Sequence, residues 1–172
     1  RILHALAALA FAQRRILGHV HGGTLGWLTL AVFAASLWLF GEGKPLTQRE
    51  RMFARWLAVG AIVAFAAYVL AFSLTYGNWR PVLGTISTIV IAGQFLWVLA
   101  RARGVELGVP HWGFLAALGT SIVGGILGIL WGLQLATGDK YLPTDGEGAH
   151  PATMVVGFLV PVGLAMSEWA FS

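Results

Sequence analysis

The sequence predicts an all-α membrane protein, a polytopic bundle of about five transmembrane helices in one domain spanning residues 1–172. Three observations predict it. Hydrophobic residues make up 58% of the 172 and charged residues only 10%, whereas a water-facing domain carries roughly 25% charged residues. Mean hydropathy is +0.77. Five apolar stretches reach the roughly 20 residues that a helix needs to cross a bilayer.

The first stretch, about 16–40, ends at Gly41-Glu42-Gly43-Lys44-Pro45. The second, about 53–76, ends at Tyr76-Gly77-Asn78-Trp79-Arg80-Pro81, and the third, about 82–100, runs out between Arg101 and Pro110. The fourth covers about 112–137. The longest break follows it, from Thr137 to Gly148, with Asp139, Asp145 and Glu147, before the fifth at about 150–171. Pro81 and Pro151 fall in first turns, where a missing N–H costs nothing. Pro161 sits mid-span and predicts a kink. Residues 2–13 are apolar but too short to span; they read as the tail of a sixth helix cut short or as a surface-lying segment. Gln13-Arg14-Arg15 is not a small-residue cleavage site, which argues against a secretory signal.

Net charge is +4, a balance that in a soluble protein would point to nucleic acid. Here the bases cluster at the ends of apolar segments, where they anchor helices at the membrane interface, so no nucleic-acid partner is expected. The absence of Cys excludes disulfides, iron–sulfur clusters and thiolate metal sites. Lys44, Arg49, Arg51, Arg55, Arg101 and Arg103 fall on one side of the membrane. Arg14, Arg15, Arg80 and Lys140 fall on the other. Six against four makes the first side cytoplasmic, in a multi-pass protein of the cell inner membrane.

Ionisable groups within membrane spans are costly and default to functional candidates. His19 and His21 open the first span and His150 the fifth, so all three share one leaflet, the outer one in this orientation; His111 opens the fourth span on the opposite side. In a helix His19 and His21 point about 200° apart and cannot readily ligate one metal. An internal repeat links the end helices: His19 is followed seven residues later by Gly26-Trp27, and His150 by Gly157-Phe158. Two α-helical turns separate each pair, so each Gly would lie below its His and admit a flat macrocycle. Two such helices face to face make a slot for a haem with an imidazole from either wall. The bland alternative is that each His simply sits at the interface.

The stretch Gly18-His19-Val20-His21-Gly22-Gly23-Thr24-Leu25-Gly26-Trp27 resembles the His-x-His helix of the catalytic subunit of haem-copper oxidases, closest to the cbb3 type. In that family the two His bind two neighbouring haems. The resemblance implies that His19 matches the active-site haem ligand and His21 the low-spin haem ligand. It covers about ten residues. That subunit has about twelve spans and a copper site with an adjacent His-His pair, which this chain lacks, so the resemblance implies haem attachment and electron transfer rather than oxygen reduction. His150 rests on the repeat alone. For a single haem the repeat pairs His19 with His150, while the family motif favours His21.

Haem propionates need neutralising near the surface. Trp79 and Arg80 lie on the histidine side, and an Arg fork suits a carboxylate. Gly124, Gly128 and Gly132 make a small-residue ridge for close packing. Met154 lies one turn after His150, and Glu168 is a candidate relay or quinone contact. Three readings stay open. One is a b-type haem subunit with one or two haems, within a larger redox complex, meeting other membrane subunits, quinone or cytochrome c. The second is a copper protein using His19, His21, His150 and Met154. The third is a non-catalytic accessory subunit.

Overall fold

The computed structural model describes residues 13, 15–41, 45–74 and 79–171. Apart from Gln13, the short apolar segment at 2–13 lies outside them, as do Arg14, Lys44 and Asn78. The described residues form five helices long and apolar enough to cross a membrane: α1 (Arg15–Leu39), α2 (Gln48–Leu74), α3 (Trp79–Ala102), α4 (Val109–Thr137) and α5 (Gly146–Phe171). No strand occurs among them. The chain is therefore a multi-pass helical membrane protein that contacts lipid over much of its surface.

Local chemistry sets the ends. Thr47 precedes α2, where the Glu50 carboxylate accepts the Thr47 N–H at 2.8 Å and the Thr47 hydroxyl accepts the Glu50 N–H at 3.3 Å. This reciprocal cap starts the helix before the apolar run, which is why α2 begins at Gln48 rather than near residue 53. At the start of α4 the His111 Nδ1 accepts the Gly108 N–H at 3.1 Å, giving that His a capping role. Gly138 ends α4 in the left-handed region, φ 81°, where a Cβ is unfavourable. The loop after it folds back on α4. Gln134 accepts the N–H groups of Tyr141 and Leu142 at 3.3 and 3.2 Å, and Leu142 is buried.

Of the five helices α3 is the most buried and α5 the least, so α3 is central and α5 peripheral. α3 packs between α2 and α4, and α4 carries α5 on its other face. Phe33, Phe65, Val98, Phe114 and Leu118 fill the core. Several polar side chains inside it are paired within the protein, as a hydrocarbon solvent favours. Gln94 donates to Ser36 at 2.6 Å, and Ser36 to the Phe33 carbonyl at 2.9 Å. Arg101, buried on α3, donates to the Phe40 carbonyl at 3.1 Å and meets Glu50 at 3.3 Å, tying the ends of α1, α2 and α3 together.

Two stretches are π-helical, Gly22–Thr29 in α1 and Thr153–Leu159 in α5. Such wide turns concentrate at functional sites. In α5 the cause is Pro161, which lacks an N–H for the Gly157 carbonyl four residues back; the Thr120 hydroxyl donates to that carbonyl instead. The kink expected at Pro161 is thus met by a widened turn just before it. In α1 the Thr29 hydroxyl donates to the Thr24 carbonyl five residues earlier, at 2.8 Å, beside the permissive Gly22-Gly23 pair.

The Arg101 clasp makes a stability prediction. Arg101→Gln should lower unfolding stability by about 2 kcal/mol, the worth of a charge-assisted bond to a buried carbonyl. Glu50→Gln should cost less, because the Phe40 carbonyl keeps its donor. Thermal unfolding in detergent, followed by circular dichroism, measures both.

Candidate functional site

His21 is the last residue of α1 before its π-helical stretch. Its Nδ1 lies 2.8 Å from the Leu17 carbonyl oxygen, one turn back in the same helix. His150, in the first turns of α5, places Nδ1 2.7 Å from the Gly124 carbonyl oxygen of α4. A carbonyl only accepts, so each bond puts the proton on Nδ1 and leaves the Nε2 lone pair for a ligand. The two rings are 6.4 Å apart between centres and 10° from parallel. Phe72 of α2 stacks on His21 at 4.1 Å and 17°, and Tyr68 meets it edge-on at 5.6 Å. The Arg80 guanidinium of α3 lies 4.5 Å from the centre of the Phe72 ring. Trp131 of α4 stands 6.4 Å from His150. Together with Leu17, Gly128 and Gly132 these residues line a cavity of about 60 Å³.

The glycine ridge of α4 is the seat of this histidine. A Cβ at Gly128 would come within 2.9 Å of the His150 ring, and one at Gly124 within 2.6 Å of the Met154 sulfur. Small residues there let α5 close onto α4 and bring His150 to the Gly124 carbonyl. Met154 packs on Gly124 and is not part of the cavity lining.

Of the residues singled out in the sequence, His21, His150 and Arg80 are brought together. His19 is exposed and outside the cavity, so the pairing of His19 with His150 favoured by the repeat is not the one the fold assembles. The reason is helical. His19 and His21 point to different sides, and it is the His21 side that faces α2 and α5. Gly26 and Gly157 do not lie below their histidines as two α-helical turns would place them, because π-helical turns intervene. Gly26 faces open space, while Gly157 is pressed against Thr120, 2.9 Å from a Cβ built there. The repeat has its counterpart in the backbone: the π-helical stretches begin three residues after His19 and three after His150. Trp79 is 64% exposed and absent from the lining. Lys140 and Glu168 are exposed, and His111 packs edge-on against Phe40 at 5.0 Å.

Sequence reasoning missed Tyr68, Phe72 and Trp131. Tyr68 and Phe72 are one turn apart on α2, and Trp131 lies two turns after Gly124. These spacings put them on the right faces, but nothing in an apolar run distinguishes a ring against a histidine from a ring against lipid.

The two imidazoles, near parallel and each engaged through Nδ1, are the residues that could hold a metal-bearing group here. Metal–imidazole bonds of about 2 Å on both sides of one ion put ring centres roughly 6 Å apart, close to the separation found here. Each ring has its other nitrogen fixed by a backbone carbonyl, the usual outer support of a metal-ligating histidine. Among the described residues no group of three or more His, Cys, Asp or Glu gathers to hold a metal, so a ligand that brings further donors of its own suits the pair better than a bare ion. The Trp131 indole N–H is buried with no acceptor, a donor available beside Arg80 for a carboxylate. The cavity has room for water but not for a macrocycle, so a flat ligand requires Phe72 and Trp131 to turn aside.

The tautomers are directly testable. Nitrogen-15 NMR of histidine-labelled protein should show His21 and His150 both as Nδ1–H imidazoles. Gly128→Ala should shift His150 alone. An Nε2–H tautomer at either residue would contradict this geometry.

Comparison with protein-family models, with curated proteins and with solved structures finds no match to this chain.

Proposed function

We propose that this chain is a haem-binding electron-transfer subunit of a membrane redox complex, with one haem b held between His21 and His150. The observation that carries the reading is the near-parallel pair of imidazoles, 6.4 Å apart between centres, each with Nδ1 engaged by a backbone carbonyl. His21 and His150 would hold that haem, and when bound it would supply one-electron exchange. The residues of the chain position and shield that group. Leu17 and Gly124 orient the imidazoles, Phe72 and Tyr68 keep water from His21, and Arg80 with the Trp131 indole N–H receives carboxylates.

The site lies at the end of the bundle that Lys/Arg counting assigns to the outer face of an inner membrane. Its partners would be further membrane subunits, with a quinone or a c-type cytochrome as electron carrier. Copper is less well supported, since a bare copper ion wants more donors than two imidazoles and Met154 packs elsewhere. The tightness of the cavity favours one rival, an accessory subunit in which the His pair only packs α1 against α5.

A dithionite-reduced minus air-oxidised absorption spectrum of purified protein, made with adequate haem supply, separates these readings. The proposal expects the sharp α and Soret bands of a six-coordinate b haem. His21→Ala or His150→Ala should reduce them by about tenfold or more, and His19→Ala should leave them. A featureless spectrum leaves the accessory reading. Bands that survive loss of His21 contradict the assignment of ligands.

A further inference from the structure

Among the described residues, the His21–His150 contact is one of two places where α1 and α5 meet ring to ring. At the opposite end of the bundle Trp38 and Trp169 meet edge to face, with ring centres 4.9 Å apart. Beside them lies a larger cavity, about 240 Å³, walled by Ala34, Ala35 and Trp38 of α1, Phe114 of α4, and Met166 and Trp169 of α5. These residues belong to the last turns of α1 and α5 and the first turns of α4, so the cavity sits within one leaflet. Its walls are carbon and indole ring, and a water there would lack the two to four polar partners it needs. The volume falls just below the roughly 300–1,000 Å³ of a drug-sized pocket and suits a length of alkyl chain. Trp38 and Trp169 are 48% and 45% exposed, so the cavity is continuous with the lipid-facing surface.

Charge indicates which lipid. This end of the bundle carries exposed Arg49, Arg51, Arg55 and Arg103, against exposed Glu106 and Glu168, while Glu50 is drawn to Arg101. Basic residues at a membrane surface attract anionic headgroups, at about 1 kcal/mol each. We propose that this cavity seats one acyl chain of an anionic phospholipid whose headgroup stays at the arginine-bearing end. The seated chain fills the gap between α1 and α5 and braces α5, the least buried helix. This does not depend on the haem reading.

The test reconstitutes the protein in vesicles of equimolar dioleoylphosphatidylglycerol and dioleoylphosphatidylcholine. It is then extracted in mild detergent and analysed by native mass spectrometry. One phosphatidylglycerol should remain per chain, enriched over phosphatidylcholine by about fivefold or more. Ala34→Phe, which fills the cavity, should lose most of it without loss of thermal stability; Ala35→Leu serves if the larger ring prevents folding. Ala31→Phe, exposed on α1 outside the cavity, should retain it. Absence of bound lipid on the unaltered protein, equal retention of the two lipids, or full retention by the filled variants overturns the proposal. Retention of a quinone in place of phospholipid, found by solvent extraction, overturns it as well.

Discussion

At membrane depth no water is present to pair a polar group that the protein leaves unpaired, and much of this molecule's polar chemistry answers that constraint. Pro161 frees the Gly157 carbonyl, and Thr120 on the neighbouring helix takes it. Thr29 takes the Thr24 carbonyl across a wide turn. Thr85, Thr88 and Ser121 donate to carbonyls of their own helices. Arg101 reaches the Phe40 carbonyl just past the end of α1. His21 and His150 obey the same rule, and with them it has a chemical consequence. Once Leu17 and Gly124 have taken Nδ1–H, each imidazole has one uncommitted nitrogen, and that nitrogen is a base.

The same logic explains why the pair forms between the first and last helices. The ridge on α4 is bare of side chains at Gly124 and Gly128, so α5 approaches closely enough for His150 to reach a helix carbonyl. The Gln134 bonds that fold the 138–148 loop back on α4 set where α5 begins. On the other wall, Phe72 stacked on His21 fixes the plane of that ring. Scaffold and site are therefore one structure, and a change at Gly128 or Phe72 would act on His150 or His21 through direct contact with its ring.

The number and placement of the spans were legible in hydropathy alone, because a bilayer imposes length and composition together. The starts of α2 and α4 were less so: Gln48–Arg55 is polar, and its helix depends on the Thr47–Glu50 cap rather than on burial. That His19 and His21 point to different sides followed from helix geometry. Which of them faces inward did not, since an apolar helix in lipid has little amphipathic contrast to reveal its buried side. The repeat singled out His150 but paired it with His19, whereas the fold sets it beside His21, and it assigned Gly26 and Gly157 a place below the histidines that α-helical turns would give and π-helical turns do not. Tyr68, Phe72 and Trp131 lay in apolar runs and became visible as neighbours of the histidines only through packing.

Whether His21 and His150 hold one haem between them is read by electron paramagnetic resonance of the oxidised, haem-loaded protein. Imidazole planes 10° apart predict a rhombic low-spin ferric signal. It should become high-spin when either histidine is replaced by alanine and remain unchanged when His19 is. A high-spin signal from the unaltered protein, a strongly axial low-spin signal of crossed imidazole planes, or protein that takes up no haem at all would contradict the account.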